Sequence, residues 1–174
     1  MKWWVIGGVG ALALAAGLLF ALQREEAPVV SAPEAEVLGT RSVDLYFPGL
    51  EGELVTETRE IVGAETTEKD IRRVVEELID GGSRGIRPLP ASTRLLNVFL
   101  DGAGEATLNF SEHFRSDHPG GSEAELATLR CLVASVATNF PGVDRVRLLV
   151  DGEVVPTLAG HADLSRPLTV QDYR

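Results

Sequence analysis

Hydrophobic and polar positions divide the chain into three stretches. From Trp3 to Leu22 there is no charged residue, and a helix of about twenty residues rising about 1.5 Å each crosses the roughly 30 Å hydrocarbon layer of a bilayer. Trp3 and Trp4 suit the headgroup boundary, where an indole buries its ring and keeps its N–H wet. Residues 1–24 are therefore expected to form a single-pass transmembrane anchor. Ala13-Leu14-Ala15 offers a small-residue cleavage site, but cutting there leaves a short apolar run before it and a greasy remnant after it, so retention is expected. Residues 25–40, EEAPVVSAPEAEVLGT, are rich in Ala, Pro and Glu and hold no sustained period. They read as an extended tether.

The third stretch, residues 41–174, alternates between two periods. Ile71, Val74, Val75, Leu78 and Ile79 make one apolar helical stripe, with Glu68, Arg72, Arg73, Glu76 and Glu77 opposite. Thr67 and Asp70 can cap its start and Gly81-Gly82 its end. A second helix opens on Ser122 and Glu125 as a capping box, carries Leu126, Leu129, Val133, Val136, Ala137 and Phe140 as its stripe, and stops at Pro141-Gly142. Period-two segments surround them: Val43 to Phe47, Leu54 to Ile61, Arg94 to Leu100, Ala106 to Phe110, Val146 to Val150 and Glu153 to Leu158. The order β-β-α-β-β-α-β-β predicts an α+β fold, a mixed β-sheet with two helices packed on one face. Leu96, Val98 and Leu100 with Ala106, Leu108, Phe110, Val146, Leu148 and Val150 form the expected inner face. Leu95, Asn97, Phe99, Glu105, Thr107, Asn109, Arg145, Arg147 and Leu149 form a mixed outer one, which is either simply solvated or a partner surface in which Phe99 and Leu149 are candidate anchors.

Charge narrows the function classes. The 16 Lys and Arg against 26 Asp and Glu give a net charge of −10, a field opposed to nucleic-acid phosphates. The single cysteine, Cys131, makes no internal disulfide and sits beside the second helical stripe, where an inert buried thiol is expected. Lys2 before the first stretch, with Glu25 and Glu26 after Arg24, favours a cytoplasmic N-terminus and an extracytoplasmic body.

Candidate chemistry is sparse. Ser111, His113, Asp117 and His118 fall in one connection, NFSEHFRSDHPGG, without the strand-turn-helix support a nucleophile needs. A metal-dependent hydrolase built on His113, Asp117 and His118 is the reading this loop would allow. His161, Asp163, Ser165 and Arg166 are expected to tie down an irregular tail. Arg84 and Arg87, in the glycine-bearing loop Gly81 to Ser92, lack the order of a nucleotide loop. Asp70, Glu76 and Glu77 lie on the wet side of the first helix. No catalytic, cofactor-binding or metal-binding residue is assigned, no cofactor is called for, and the chain is expected not to be an enzyme.

Several blocks in a fixed order resemble a known family: LYFPG (Leu45 to Gly49), LVTETREI (Leu54 to Ile61), VVEELIDGG (Val74 to Gly82), LPASTRLLNVFLDG (Leu89 to Gly102), TNFPGVDRVRLLVDGE (Thr138 to Glu153) and TLAGHADLSRPL (Thr157 to Leu168). They are similar to the GerMN domain of bacterial sporulation and spore germination proteins. The resemblance implies that residues 41–174 are an extracytoplasmic, non-catalytic module with a ring-building-motif-like fold. The resulting expectation is a membrane-tethered interaction domain on the outer side of the cytoplasmic membrane, supporting a cell-envelope or sporulation-type assembly. It would meet an envelope protein partner, or a second copy of itself, through a sheet face or edge, and would bind no nucleic acid. The alternative is a module for cell-wall glycan or a small ligand, which predicts a concave pocket with convergent polar groups.

Overall fold

A computed structural model describes residues 39–173, which lie within one compact unit, Leu38–Arg174. The expected anchor (1–24) and nearly all of the expected tether (25–40) lie outside the described residues. Among the described residues no helix is long and apolar enough to cross a membrane.

The chain opens with a hairpin of two nine-residue strands, β1 (Thr40–Pro48) and β2 (Leu54–Val62), paired antiparallel without a slip. Val43, Leu45 and Phe47 turn to one side and are buried, as their alternation requires. Helix α1 (Thr67–Asp80) follows, with Ile71, Val74, Val75 and Leu78 wholly buried. Its cap is Thr66, one residue earlier than expected, whose hydroxyl accepts from the Lys69 N–H at 3.4 Å. Asp70, expected on the wet side of this helix, is buried instead, because its carboxylate accepts from the Ala64 N–H at 2.8 Å and pairs with Arg41 at 3.0 Å.

Strands β3 (Leu95–Leu100) and β4 (Glu105–Phe110) form the second hairpin, and β4 pairs in parallel with β5 (Arg145–Val150). The crossover between them holds a one-turn helix, α2 (His113–Ser116), and the eighteen-residue α3 (Ser122–Asn139). A short β6 (Leu168–Thr169) closes a four-stranded sheet in the order β3-β4-β5-β6. The α+β class and the strand-helix order hold, with the first hairpin forming a separate two-stranded sheet.

Three local expectations are corrected. A bulge between Leu95 and Asn97 puts Leu95, not Leu96, on the inner face opposite Phe110; one extra residue reverses every side chain before it. The arm expected over Glu153 to Leu158 is a single bridge, Val150 to Glu153, across the turn Asp151-Gly152, both at positive φ. Pro156 has no N–H to continue a ladder, and the segment instead folds on itself through Leu158 N–H to Ala162 O (3.0 Å) and Leu164 N–H to Pro156 O (3.0 Å). Leu126, expected in the buried stripe of α3, is 47% exposed, while Cys131 and Leu132 are buried. That helix is enclosed on more than one side: the sheet crossover holds its apolar stripe, and the free edge of β1 lies along its flank. Tyr46 N–H donates to Ser135 Oγ at 2.9 Å, Asp44 N–H to Asn139 Oδ1 at 3.0 Å, and Asn139 Nδ2 back to Asp44 O at 2.7 Å.

Candidate interaction site

The outer face of the four-stranded sheet is built from side chains that satisfy one another. Glu105 on β4 accepts from Arg147 Nε at 2.7 Å and lies 3.6 Å from Arg145 Nε, both on β5. Asn109 donates to Asn97 at 3.2 Å and accepts from the Gly152 N–H at 2.8 Å, linking three elements across the face. Two apolar groups stand out of this matched surface: Phe99, 57% exposed, and Leu96, 37% exposed. Leu149, the other expected anchor, is half-buried. Chemically the face is an apolar projection surrounded by paired charges.

The histidine-bearing connection does not converge. Ser111 is buried and its hydroxyl accepts from the Arg94 N–H at 3.1 Å. Phe114, wholly buried, stacks on Phe110 with ring centroids 4.5 Å apart, so the segment is a core-bound helical turn rather than a loop. His113 points to solvent. The Asp117 carboxylate takes the hydroxyls of Ser92 and Ser116, which hold it below the ordinary Asp value. His118 is buried: its Nδ1 accepts from the Gly120 N–H at 3.0 Å and its Nε2 lies 3.0 Å from Thr128 Oγ1. Because the Thr128 hydroxyl donates to Pro88 O at 2.6 Å, Nε2 must carry the proton and Nδ1 none. Burial pushes the ring's pKa down, against the pull of Glu125, and the neutral imidazole serves as a strut. Among the described residues no group of three or more His, Cys, Asp or Glu could hold a metal ion.

The most elaborate polar arrangement was not foreseen. Glu125, assigned above to a capping box, is completely buried, and α3 starts without a side-chain cap. Its Oε2 accepts from the N–H groups of Ala159 (3.1 Å), His161 (3.1 Å) and Ala162 (2.8 Å), and its Oε1 from His161 Nδ1 (2.9 Å). Burial alone would raise this carboxyl; the Ala162 and Ala159 N–H groups, the His161 ring and the His161 N–H overcome it and hold the pKa at about 2. Arg115 adds a second clamp, its Nε donating to Thr157 O (3.2 Å) and Leu158 O (3.1 Å). His161 thus fastens the tail as expected, through a carboxylate rather than the backbone. Asp163 and Ser165 form a local turn, Ser165 N–H to Asp163 at 2.9 Å, and Arg166 lies 3.6 Å from Asp163. One signal for Glu125 was present in the sequence, the small, glycine-bearing run Ala159-Gly160-His161-Ala162, whose backbone can gather N–H groups around an anion.

Two grooves flank α3. A groove of about 340 Å³ between Pro88, Leu89, Pro90 and α3 contains His118 and Thr128, whose hydrogen bonds are already used. A larger one of about 620 Å³ lies between the β1–β2 turn and α3, beside Leu50, which is 92% exposed, and Leu126. Arg84 and Arg87 are exposed on their loop. Cys131 is buried, and burial pushes its thiol up to about 12, out of reach of thiolate chemistry. Asp70 pairs with Arg41, and Glu77 receives Arg59 at 2.7 Å; Glu76 is exposed.

Solved structures share this arrangement, three of them as follows. A protein from Clostridium perfringens assigned as a lipoprotein is 28% identical, covering 78% of this chain and 91% of its own, with a TM-score of 0.56. The first GerMN domain of the sporulation protein GerM from Bacillus subtilis is 25% identical over 76% of this chain and 100% of its own, with a TM-score of 0.63. The tandem GerMN domains of the same protein match with 25% identity and a TM-score of 0.60, this chain spanning 48% of their length. No curated protein matches. The family model described as "Germane: Sporulation and spore germination" matches residues 44–156, a span from β1 through the turn after β5, and the chain is therefore a member of the Germane, or GerMN-domain, family.

Proposed function

We propose that this protein is a membrane-tethered, extracytoplasmic, non-catalytic interaction domain that supports a cell-envelope or sporulation-type assembly, with residues 1–24 as its anchor and 25–40 as its tether. The observation that carries the reading is Phe99, a large apolar side chain held 57% exposed beside Leu96 on a sheet face whose charges are already paired. Such a face offers an apolar anchor and asks for no new ionic partner. The family's description names a process and no reaction, and Ser111, Asp117 and His118 of the site-like group are engaged in hydrogen bonds within the fold. Membrane attachment accords with the charge-free stretch Trp3 to Leu22 and with a C. perfringens relative assigned as a lipoprotein.

The test is Phe99→Asp in the full chain, with affinity capture from native membranes. The variant should keep the parent's unfolding transition and lose its captured partner. An undiminished complex would sink the outer face as the contact surface.

A further inference from the structure

Of the four outer strands of the two sheets, β1 is covered by α3, and the other three are protected unequally. On β3 a bulge interrupts the ladder, and Arg72 of α1 donates to the carbonyls of Leu95 and Leu96. Strand β6 is only two residues long. Both are ordinary defences of a sheet edge. Strand β2 has neither: it is nine residues, regular and without proline.

The backbone geometry identifies which of its groups are open. Gly49 N–H donates to Glu53 O and Gly63 N–H to Gly39 O, each at 2.8 Å, while the Asp44 and Tyr46 N–H groups turn away to α3. Odd-numbered residues therefore exchange bonds across the hairpin, and Leu54, Thr56, Thr58, Glu60 and Val62 present their N–H and C=O outward. Among the described residues nothing pairs with them.

Resting on the interaction reading above, we infer that β2 pairs antiparallel with β2 of a second copy about a two-fold axis at Thr58. The sequence of the strand is self-complementary in that register. Leu54 meets Val62, Thr56 meets Glu60, and Thr58 meets itself on the exposed side, while Val55 meets Ile61 and Glu57 meets Arg59 on the other. Each outward N–H and C=O finds a partner. Moving the axis to residue 57 sets Glu57 against Glu57, to 59 sets Arg59 against Arg59, and to 60 sets Glu60 against Glu60, all like-charge pairs. Moving it to 56 carries Glu60 and Val62 past the end of the facing strand. An edge of this length is a small contact, so the dimer is concentration-dependent.

Disulfide trapping tests it in the full chain in detergent. Thr58→Cys places two thiols on the axis at a Cα separation of about 5.5 Å, within disulfide reach, and the native Cys131 is buried and inert. Mild oxidation should give a covalent dimer for Thr58→Cys and none for Leu50→Cys at the exposed turn. Adding Thr56→Pro, which removes an outward N–H and leaves the β1 ladder whole, should abolish the dimer. Thr58→Lys sets two ammonium groups face to face and should lose the dimer in sedimentation even where the proline variant does not fold. Trapping no better than Leu50→Cys, or indifferent to Thr56→Pro and Thr58→Lys, would overturn the edge pairing. In that case, capture that still depends on Phe99 would leave the broader interaction reading standing.

Discussion

The two long helices solve different problems with similar-looking sequences. Helix α1 buries one apolar stripe and leaves Glu76 and Lys69 in water, while Asp70, Arg72, Arg73 and Glu77 reach neighbouring segments from its flanks. Helix α3 buries Glu125, Thr128 and Ser135 together with its apolar stripe, and each polar group holds a different segment. Glu125 grips the tail at Ala159 to Ala162, Thr128 fixes the proline loop through Pro88 O, and Ser135 with Asn139 covers the edge of β1. A polar residue on a helix is thus a surface residue or a fastener according to what packs beside it. In this fold α3 is the element to which the tail, the proline loop and the first hairpin are fastened.

The largest effect should follow from Glu125→Gln. A neutral amide cannot accept all four donors, and the carboxylate's drop from 4.5 to about 2 corresponds to a stability contribution of about 3 kcal/mol. Because the folded-state pKa is depressed, that contribution is full above the unfolded value near 4.5 and is lost as pH falls towards 2. His118 adds a milder step of the same sign: its ring is held neutral below its ordinary 6.5, so acid begins to weaken the fold beneath that pH. Urea unfolding from pH 7 to pH 2.5 should show both, and Glu125→Gln should flatten the lower step. A variant as stable as the parent at pH 7 would mean that the tail is held without the carboxylate.

Asn139→Ala comes next. It removes three hydrogen bonds and leaves the Asp44 N–H and C=O without partners at the β1 edge, a loss of about 2 kcal/mol. Amide exchange should quicken at Asp44, while the amides of β4 and β5 change only by the global shift. Uniform acceleration across both sheets would mean that the hairpin and the four-stranded sheet open only together.

This contrast also explains what could be read from the sequence. The stripe of α1, the buried alternation of β1 and the order of elements follow from local periodicity, and they hold. The α+β arrangement followed from that order, and the family blocks added its likeness to the GerMN domains. What periodicity could not supply was the second face of α3. Glu125 three residues after Ser122 matches a capping box in one dimension, and only the distant segment Ala159 to Ala162 draws it inward. The bulge at Leu95 likewise depends on pairing with Phe110 and Asn109, and the failure of the Glu153 to Leu158 arm on Pro156 within it. The triad-like grouping of Ser111, His113, Asp117 and His118 was proximity along the chain, which the one-turn helix α2 disperses into different directions.

The smallest effect belongs to Glu76→Ala on α1. Glu76 is exposed and lies 3.8 Å from Arg72, one helical turn away, a spacing at which screened pairs contribute at most about 0.5 kcal/mol. Arg72 has stronger bonds of its own, to the carbonyls of Leu95 and Leu96, and keeps its position without the carboxylate. Alanine is moreover the better helix former, so the net change in the urea midpoint should be close to zero and insensitive to salt. A loss as large as that of Asn139→Ala would show that the outer side of α1 is covered in the native protein, and that Glu76 too fastens a neighbouring segment.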